Sequence, residues 1–129
     1  GSLDSKSKIN NMTAEQIDTI NAIAEELYAN AKNKGFHDED FDLSDIILMS
    51  KWTANLHGEI SELWESARKG QLHAPCDKDC PLTQAEEEFA DIFIRCCDSA
   101  KAFGIDLGRA VHIKAQYNAS RPHMHGKLA

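Results

Sequence analysis

The chain has 129 residues, room for one domain with a core of its own. Its formal charge of -7 argues against broad binding to nucleic acid or to an anionic membrane, because either partner needs a net basic face. No apolar run approaches the roughly 18 residues of a membrane span and no charged-then-apolar leader is read, so a cytoplasmic protein is expected.

Gly1 and Ser2 resemble the remnant of a cleaved expression tag, and residues 1–12 are read as a flexible N-terminus without an apolar face. A single domain is expected over residues 13–121, followed by a basic tail over 122–129. The first helix starts at Thr13, where Thr13 and Gln16 form a capping box, and Ile17, Ile20, Ala24, Leu27 and Ala31 follow at helical spacing up to Gly35. Phe36 to Leu43 is acidic and aperiodic. Ser44 then caps a longer helix that runs to about Lys69 and closes at Gly70, with Leu48, Trp52, Leu56, Leu63 and Ala67 as its core stripe and Met49 and Ile60 at one margin.

Gln71 to Leu82 reads as a connecting loop, since it carries prolines and no periodicity. Thr83 and Glu86 repeat the capping box and open a third helix, whose expected buried face is Phe89, Ile92, Phe93, Cys96, Ala100 and Phe103, up to Gly104. A fourth helix fits Leu107 to about Ala119 and stops ahead of Pro122. With no strand-like alternation, the fold class is all-α with four helices.

Residues three apart on a helix are neighbours, so Glu59 with Glu62, and Glu88 with Asp91, each present paired carboxylates. Spacing alone says little, because Glu15 with Asp18 and Glu39 with Asp42 show it too. Position says more. Glu59 lies about 20° from the centre of the Trp52 stripe and should be largely buried, where a lone charge wants a cation. Glu62 falls at the polar edge of the stripe, Glu88 borders the apolar arc of the third helix, and Asp91 with Arg95 extends that seam. Four hard oxygen donors suit Mg²⁺, with Mn²⁺ as a substitute, better than zinc. The competing possibility is that Arg95 neutralises Glu88 or Asp91 and the rest is solvated. A di-iron bundle is disfavoured, because no histidine here has a Glu three residues before it.

From Leu107 onward there is no acidic residue, while Arg109, Lys114, Arg121 and Lys127 are basic. Lys114, Asn118 and Arg121 follow one another at about one-turn intervals and could meet a single phosphate, although cations near a helix C-terminus need no ligand. Trp52, Trp64 and Tyr117 are the aromatics able to stack on a planar ligand, with Trp52 better suited to the core. His123 and His125 belong to the tail and are expected to close over the site or stay solvated. His73, Cys76 and Cys80, with Asp77 and Asp79, offer an unusual zinc spacing, for which an inserted, partly disordered loop is the ordinary explanation. Adjacent Cys96 and Cys97 read as reduced, structural thiols.

The segments LHGEISELWESARKG, AEEEFADIFIRCCDSAKAFGIDLGRA and HIKAQYNASRPHMHGK together resemble the MazG-like all-α nucleotide pyrophosphohydrolases, from about Lys51 to Lys127. The resemblance rests on Glu59 and Glu62, Glu88 and Asp91, then Lys114, Asn118 and Arg121, in that order. It implies Mg²⁺-dependent hydrolysis of a (deoxy)nucleoside triphosphate to the monophosphate and pyrophosphate, as nucleotide-pool house-cleaning, by a bundle that forms a homodimer or homotetramer. Glu59 is then the first choice to activate water and Glu62 the second. Phosphoribosyl-ATP as the substrate, and a non-catalytic nucleotide- or metal-binding regulatory module, are the alternatives.

Overall fold

The computed structural model describes residues 12–122, so the tail residues His123, His125 and Lys127 and most of the N-terminal segment lie outside the described residues. Four helices carry the fold: α1 (Ala14–Asn33), α2 (Asp45–Arg68), α3 (Gln84–Ala102) and α4 (Leu107–Ser120). A short 3-10 turn at Asp40–Asp42, unforeseen in the acidic stretch before α2, completes the regular structure. No helix of the described residues is long and apolar enough to cross a membrane.

The helix starts are chemical. Thr13 Oγ1 accepts from the Gln16 amide at 3.1 Å while Gln16 Oε1 accepts from the Thr13 amide at 2.9 Å, and Thr83 and Glu86 make the same reciprocal pair at 3.2 and 2.9 Å. Asp106 caps α4 by accepting from the Arg109 amide at 3.0 Å. Ser44 stands at the start of α2 in extended conformation but makes no side-chain cap, so that expectation holds for position and not for the bond. At the end of α2, Gly70 takes φ +69°, which lets the Gly70 amide reach Ala67 O and the Gln71 amide reach Ser66 O at 3.0 and 2.9 Å. Those two bonds turn the chain back toward α3.

α3 is central: α1 and α2 both pack on it, and α4 packs chiefly on α1. The α1–α4 contact is close because Gly108 has no side chain. A Cβ there would lie 2.3 Å from Ile17 O. Asn21 fastens this crossing, accepting from the Gly108 amide at 2.8 Å and donating to Asp106 Oδ1 at 2.8 Å.

Trp52 is buried as expected, with its ring edge-on to Phe103 at 6.0 Å between centroids. The buried face of α3 is not the expected one. Phe89 is 63% exposed and Phe93 54%, Cys96 is exposed, and the buried residues of the helix are Glu87, Glu88, Cys97 and Asp98. Among the described residues, the apolar arc therefore points away from the other helices. What turns inward is the stripe Glu88, Asp91, Arg95 and Asp98, spaced by three and four residues, with Glu88 and Asp91 brought against Glu59 of α2 and Asp98 against His37 of the segment before it.

The α2–α3 loop also differs from the expected disordered insert. Pro75 and Thr83 form an antiparallel bridge, the Cys76 amide donates to Leu82 O at 2.9 Å, and the Gln84 amide donates to Ala74 O at 2.9 Å. Backbone bonding of this kind holds a definite path without helix or strand periodicity.

Candidate metal centre

α2 and α3 run side by side across the loop, tied near it by a hydrogen bond from Ser66 Oγ to Gln84 Oε1 at 2.8 Å. Further along the pair, Glu59 from α2 and Glu88 and Asp91 from α3 bring one carboxylate oxygen each within 4.8 Å of one another. Glu59 and Asp91 are half-buried and Glu88 is buried. Glu59 is thus less enclosed than its place on the apolar stripe suggested, although its Oε2 is shielded from solvent. Glu59 Oε2 and Glu88 Oε2 are both buried without a hydrogen-bond partner. An orphaned buried carboxylate oxygen is costly, and two of them beside a third acid form an acceptor-only cluster of the kind that suits a cation.

The electrostatics agree. Burial, then the charges of Asp91 and Glu62, raises the Glu59 carboxyl above its ordinary value. Burial and Glu87 raise Asp91. Glu88 is pushed up to about 7, first by burial and then by its hydrogen bond to Glu62 and the charges of Glu62, Glu87 and Glu59. Glu62 is exposed and stands outside the three-oxygen cluster, beside Glu88. It joins Glu59, Asp91 and Arg95 in lining a cavity of about 370 Å³ that is also walled by Phe36 and Asn55.

Arg95 makes its ion pair with Asp98, and its charge offsets only part of the rise at Asp91 and Glu59. Its guanidinium lies 3.1 Å from Asp98 Oδ2 and stacks 4.2 Å from the centre of the Phe36 ring. Asp98 is 1% exposed. The Arg95–Asp98 contact is an ion pair without hydrogen-bond alignment, since Asp98 Oδ2 has no aligned donor. Asp98 Oδ1 is 3.0 Å from His37 Nε2, and His37 Nδ1 is 2.6 Å from Asp40 Oδ2, with Lys51 Nζ 2.6 Å from Asp40 Oδ1. His37 thus has a carboxylate oxygen at each ring nitrogen. The chain Lys51–Asp40–His37–Asp98–Arg95 fixes where Arg95 sits at the cavity wall. None of Asp98, His37 and Asp40 was singled out in the sequence, and their contacts, 61 residues apart for His37 and Asp98, leave no spacing signal.

A second cation comes from the loop. Lys78 pairs with Glu87, which in turn is buried beside Glu88, and the contact raises the Lys78 ammonium above its ordinary value. Lys78, Glu62, Glu87 and Glu88 line a neighbouring cavity of about 500 Å³. Lys78 was missed because a lysine in an aperiodic loop gives no hint of where it will land.

The expected phosphate-binding residues lie elsewhere. Lys114 and Asn118 line a separate surface recess with Val111, while Lys114 Nζ and the Arg121 guanidinium both lie over the Tyr117 ring, 4.6 and 5.4 Å from its centre. None of Lys114, Asn118 and Arg121 lines the cavity of Glu59 and Asp91. Trp52 instead lines a cavity of about 380 Å³ with Tyr28, His37 and Phe41. Comparison with known proteins returns no matching family model, no matching curated protein and no matching solved structure.

Proposed function

We propose that the protein is a Mg²⁺-dependent nucleotide pyrophosphohydrolase of the MazG-like kind, which hydrolyses a nucleoside triphosphate to the monophosphate and pyrophosphate. The observation that carries this reading is the meeting of Glu59, Glu88 and Asp91 within 4.8 Å with two buried carboxylate oxygens left unpartnered. Such a donor set fits a hard divalent ion, with water and phosphate oxygens completing roughly six ligands. When bound, the ion supplies charge neutralisation at the phosphates and a lowered pKa for the attacking water.

The chain's own residues divide the remaining work. Glu59, Glu88 and Asp91 would hold the cation. Water attacks phosphorus in line, the P–O bond to the pyrophosphate breaks, and the water's proton must be taken up. Glu62 stands outside the three-oxygen cluster and beside Glu88, which favours it over Glu59 as the acceptor, the reverse of the sequence-based order. Arg95, held by Asp98 and Phe36, offers a positive wall to the cavity. Trp52 begins two helical turns before Glu59, about 10 Å along the axis, so a base in the aromatic cavity of Tyr28, His37, Phe41 and Trp52 would set its phosphates toward the acids. Tyr117, engaged by Lys114 and Arg121, is the weaker stacking candidate.

The functional unit in this reading is a homodimer or a homotetramer. Among the described residues only Ala24, Ala31, Trp52, Cys76 and Cys97 are buried apolar residues, while Ile60, Trp64, Phe89 and Phe93 on α2 and α3 are about half exposed or more. A second copy is the occupant that answers this pattern, because the α3 arc has the helical spacing of a packing face and, among the described residues, no other helix covers it. It also gives Lys114, Asn118 and Arg121 a route to a site they do not line within one chain.

The reading is tested by incubating the protein with Mg²⁺ and a panel of ribo- and deoxyribonucleoside triphosphates, with phosphoribosyl-ATP included, and resolving the products. Monophosphate and pyrophosphate in equal amounts are expected. Orthophosphate release, or no turnover of any member, would defeat it, and binding without turnover would favour the regulatory module.

A further inference from the structure

Cys76 and Cys80 flank Lys78 in the α2–α3 loop, and nothing in the proposed hydrolysis uses them. Their Sγ atoms are 2.8 Å apart, and both are free thiols. Two thiolates sharing a tetrahedral zinc ion at about 2.3 Å each would stand roughly 3.8 Å apart, so the pair is too close for that arrangement. Nor do His73, Asp77 and Asp79 gather with both sulfurs into a group of metal-ligating atoms among the described residues, which removes the zinc alternative raised by the sequence.

The backbone keeps the two sulfurs facing. The Cys76 amide is bonded to Leu82 O, the Cys80 amide to Lys78 O at 2.8 Å, and Pro75 is bridged to Thr83. The Cys76 thiol is buried, 8% exposed, whereas Cys80 is more accessible. By contrast Cys96 and Cys97 are neighbours on a helix and point about 100° apart, which denies them a mutual bond. Lys78, carried among the three residues between the paired cysteines, reaches Glu87 next to the acidic cluster.

We propose that Cys76 and Cys80 are a reversible dithiol–disulfide pair, and that closing it clamps Lys78 onto Glu87 at the edge of the Glu88 site. The oxidant is a low-molecular-weight disulfide such as oxidised glutathione. The Cys80 thiolate, its proton given to solvent, attacks one sulfur of that disulfide, breaking its S–S bond and expelling one thiolate. Cys76 then loses its proton and attacks the Cys80 sulfur, forming the Cys76–Cys80 bond and expelling the second thiolate. The protein gives up two electrons and two protons, and one oxidised glutathione leaves as two reduced molecules.

Both halves are read on the whole wild-type chain. Protein equilibrated at several ratios of oxidised to reduced glutathione is alkylated, digested with trypsin and weighed. Trypsin cuts after Lys78, so the disulfide leaves peptides 70–78 and 79–95 joined, and dithiothreitol separates them. Lys78 acylation is timed in parallel in the reduced and oxidised protein, and a slowing of about two- to fivefold is expected on oxidation, the factor of a surface ion pair held rather than free. Free, alkylated Cys76 and Cys80 at every ratio, or Cys80 linked only to glutathione or to Cys96, would overturn the pairing. A joined pair with unchanged Lys78 acylation would overturn the clamp. Neither readout needs the protein to hydrolyse a nucleotide, so failure here and failure of the proposed function are distinguishable.

Discussion

Replacing Glu88 by Gln should stabilise the metal-free fold while destroying the site. The Glu88 carboxyl is raised from 4.5 to about 7, because it is buried and faces Glu62, Glu87 and Glu59. The folded state thus binds this proton more tightly than the unfolded state. The group's favourable share in stability is fully present below about pH 4.5 and is lost as pH rises through about 7. At about 1.36 kcal/mol per pKa unit, the loss by pH 8 is roughly 3 kcal/mol, shared by the acids that repel one another. Glu88→Gln keeps the shape, removes the charge and places an amide donor beside carboxylates. Thermal unfolding by circular dichroism in EDTA, at fixed protomer concentration, should then show the variant melting higher at pH 8, by up to roughly 10 °C. The gap should close toward pH 4.5. Saturating Mg²⁺ should raise the wild-type melting temperature and leave the variant's unmoved. A variant that melts at or below the wild type at pH 8, or a gap that ignores pH, would refute the idea that unpaired acid charge is stored at this place.

Three further outcomes follow from the same contacts. Glu62→Gln should lower kcat by about 10²- to 10⁴-fold while Mn²⁺ affinity changes little, as expected for a proton acceptor standing outside the metal ligands; equal losses in both would make it a ligand instead. Gly108→Ala should cost about 1–3 kcal/mol in denaturant unfolding, because the new Cβ meets Ile17 O at 2.3 Å and must push α4 off α1. Phe93→Asp should convert the proposed homo-oligomer to monomer in sedimentation velocity, and an unchanged sedimentation coefficient would show that the α3 arc is not its interface.

The helix boundaries were legible because they are local chemistry. Thr13 with Gln16, Thr83 with Glu86, and the glycines at 35, 70 and 104 each act within one turn of chain, and the helices begin and end beside them. Three of the four expected carboxylates were legible for a related reason, since two helices joined by a loop bring Glu59 opposite Glu88 and Asp91, while Glu62 falls outside the cluster. The orientation of α3 was not. A helical wheel separates the Phe89–Phe93 arc from the Glu88–Asp98 stripe but is silent on which one the same chain covers. His37 and Asp98, or Asn21 and Gly108, are 61 and 87 residues apart, and no periodicity records a contact at that range. Lys78 and the Cys76–Cys80 contact belong to a loop whose path is set by backbone bonds, to which the side-chain pattern gives no clue.

The most direct measurement is a titration of Mn²⁺ into metal-free protein at neutral pH, following the free-ion signal by electron paramagnetic resonance for the wild type and for Asp91→Asn. Saturable depletion of the signal is expected in the wild type, with the affinity lowered at least about tenfold in the variant, as losing a ligand should cost no less than losing an outer partner. Absence of binding in the wild type, or the same affinity in both proteins, would contradict a divalent-metal site at Glu59, Glu88 and Asp91.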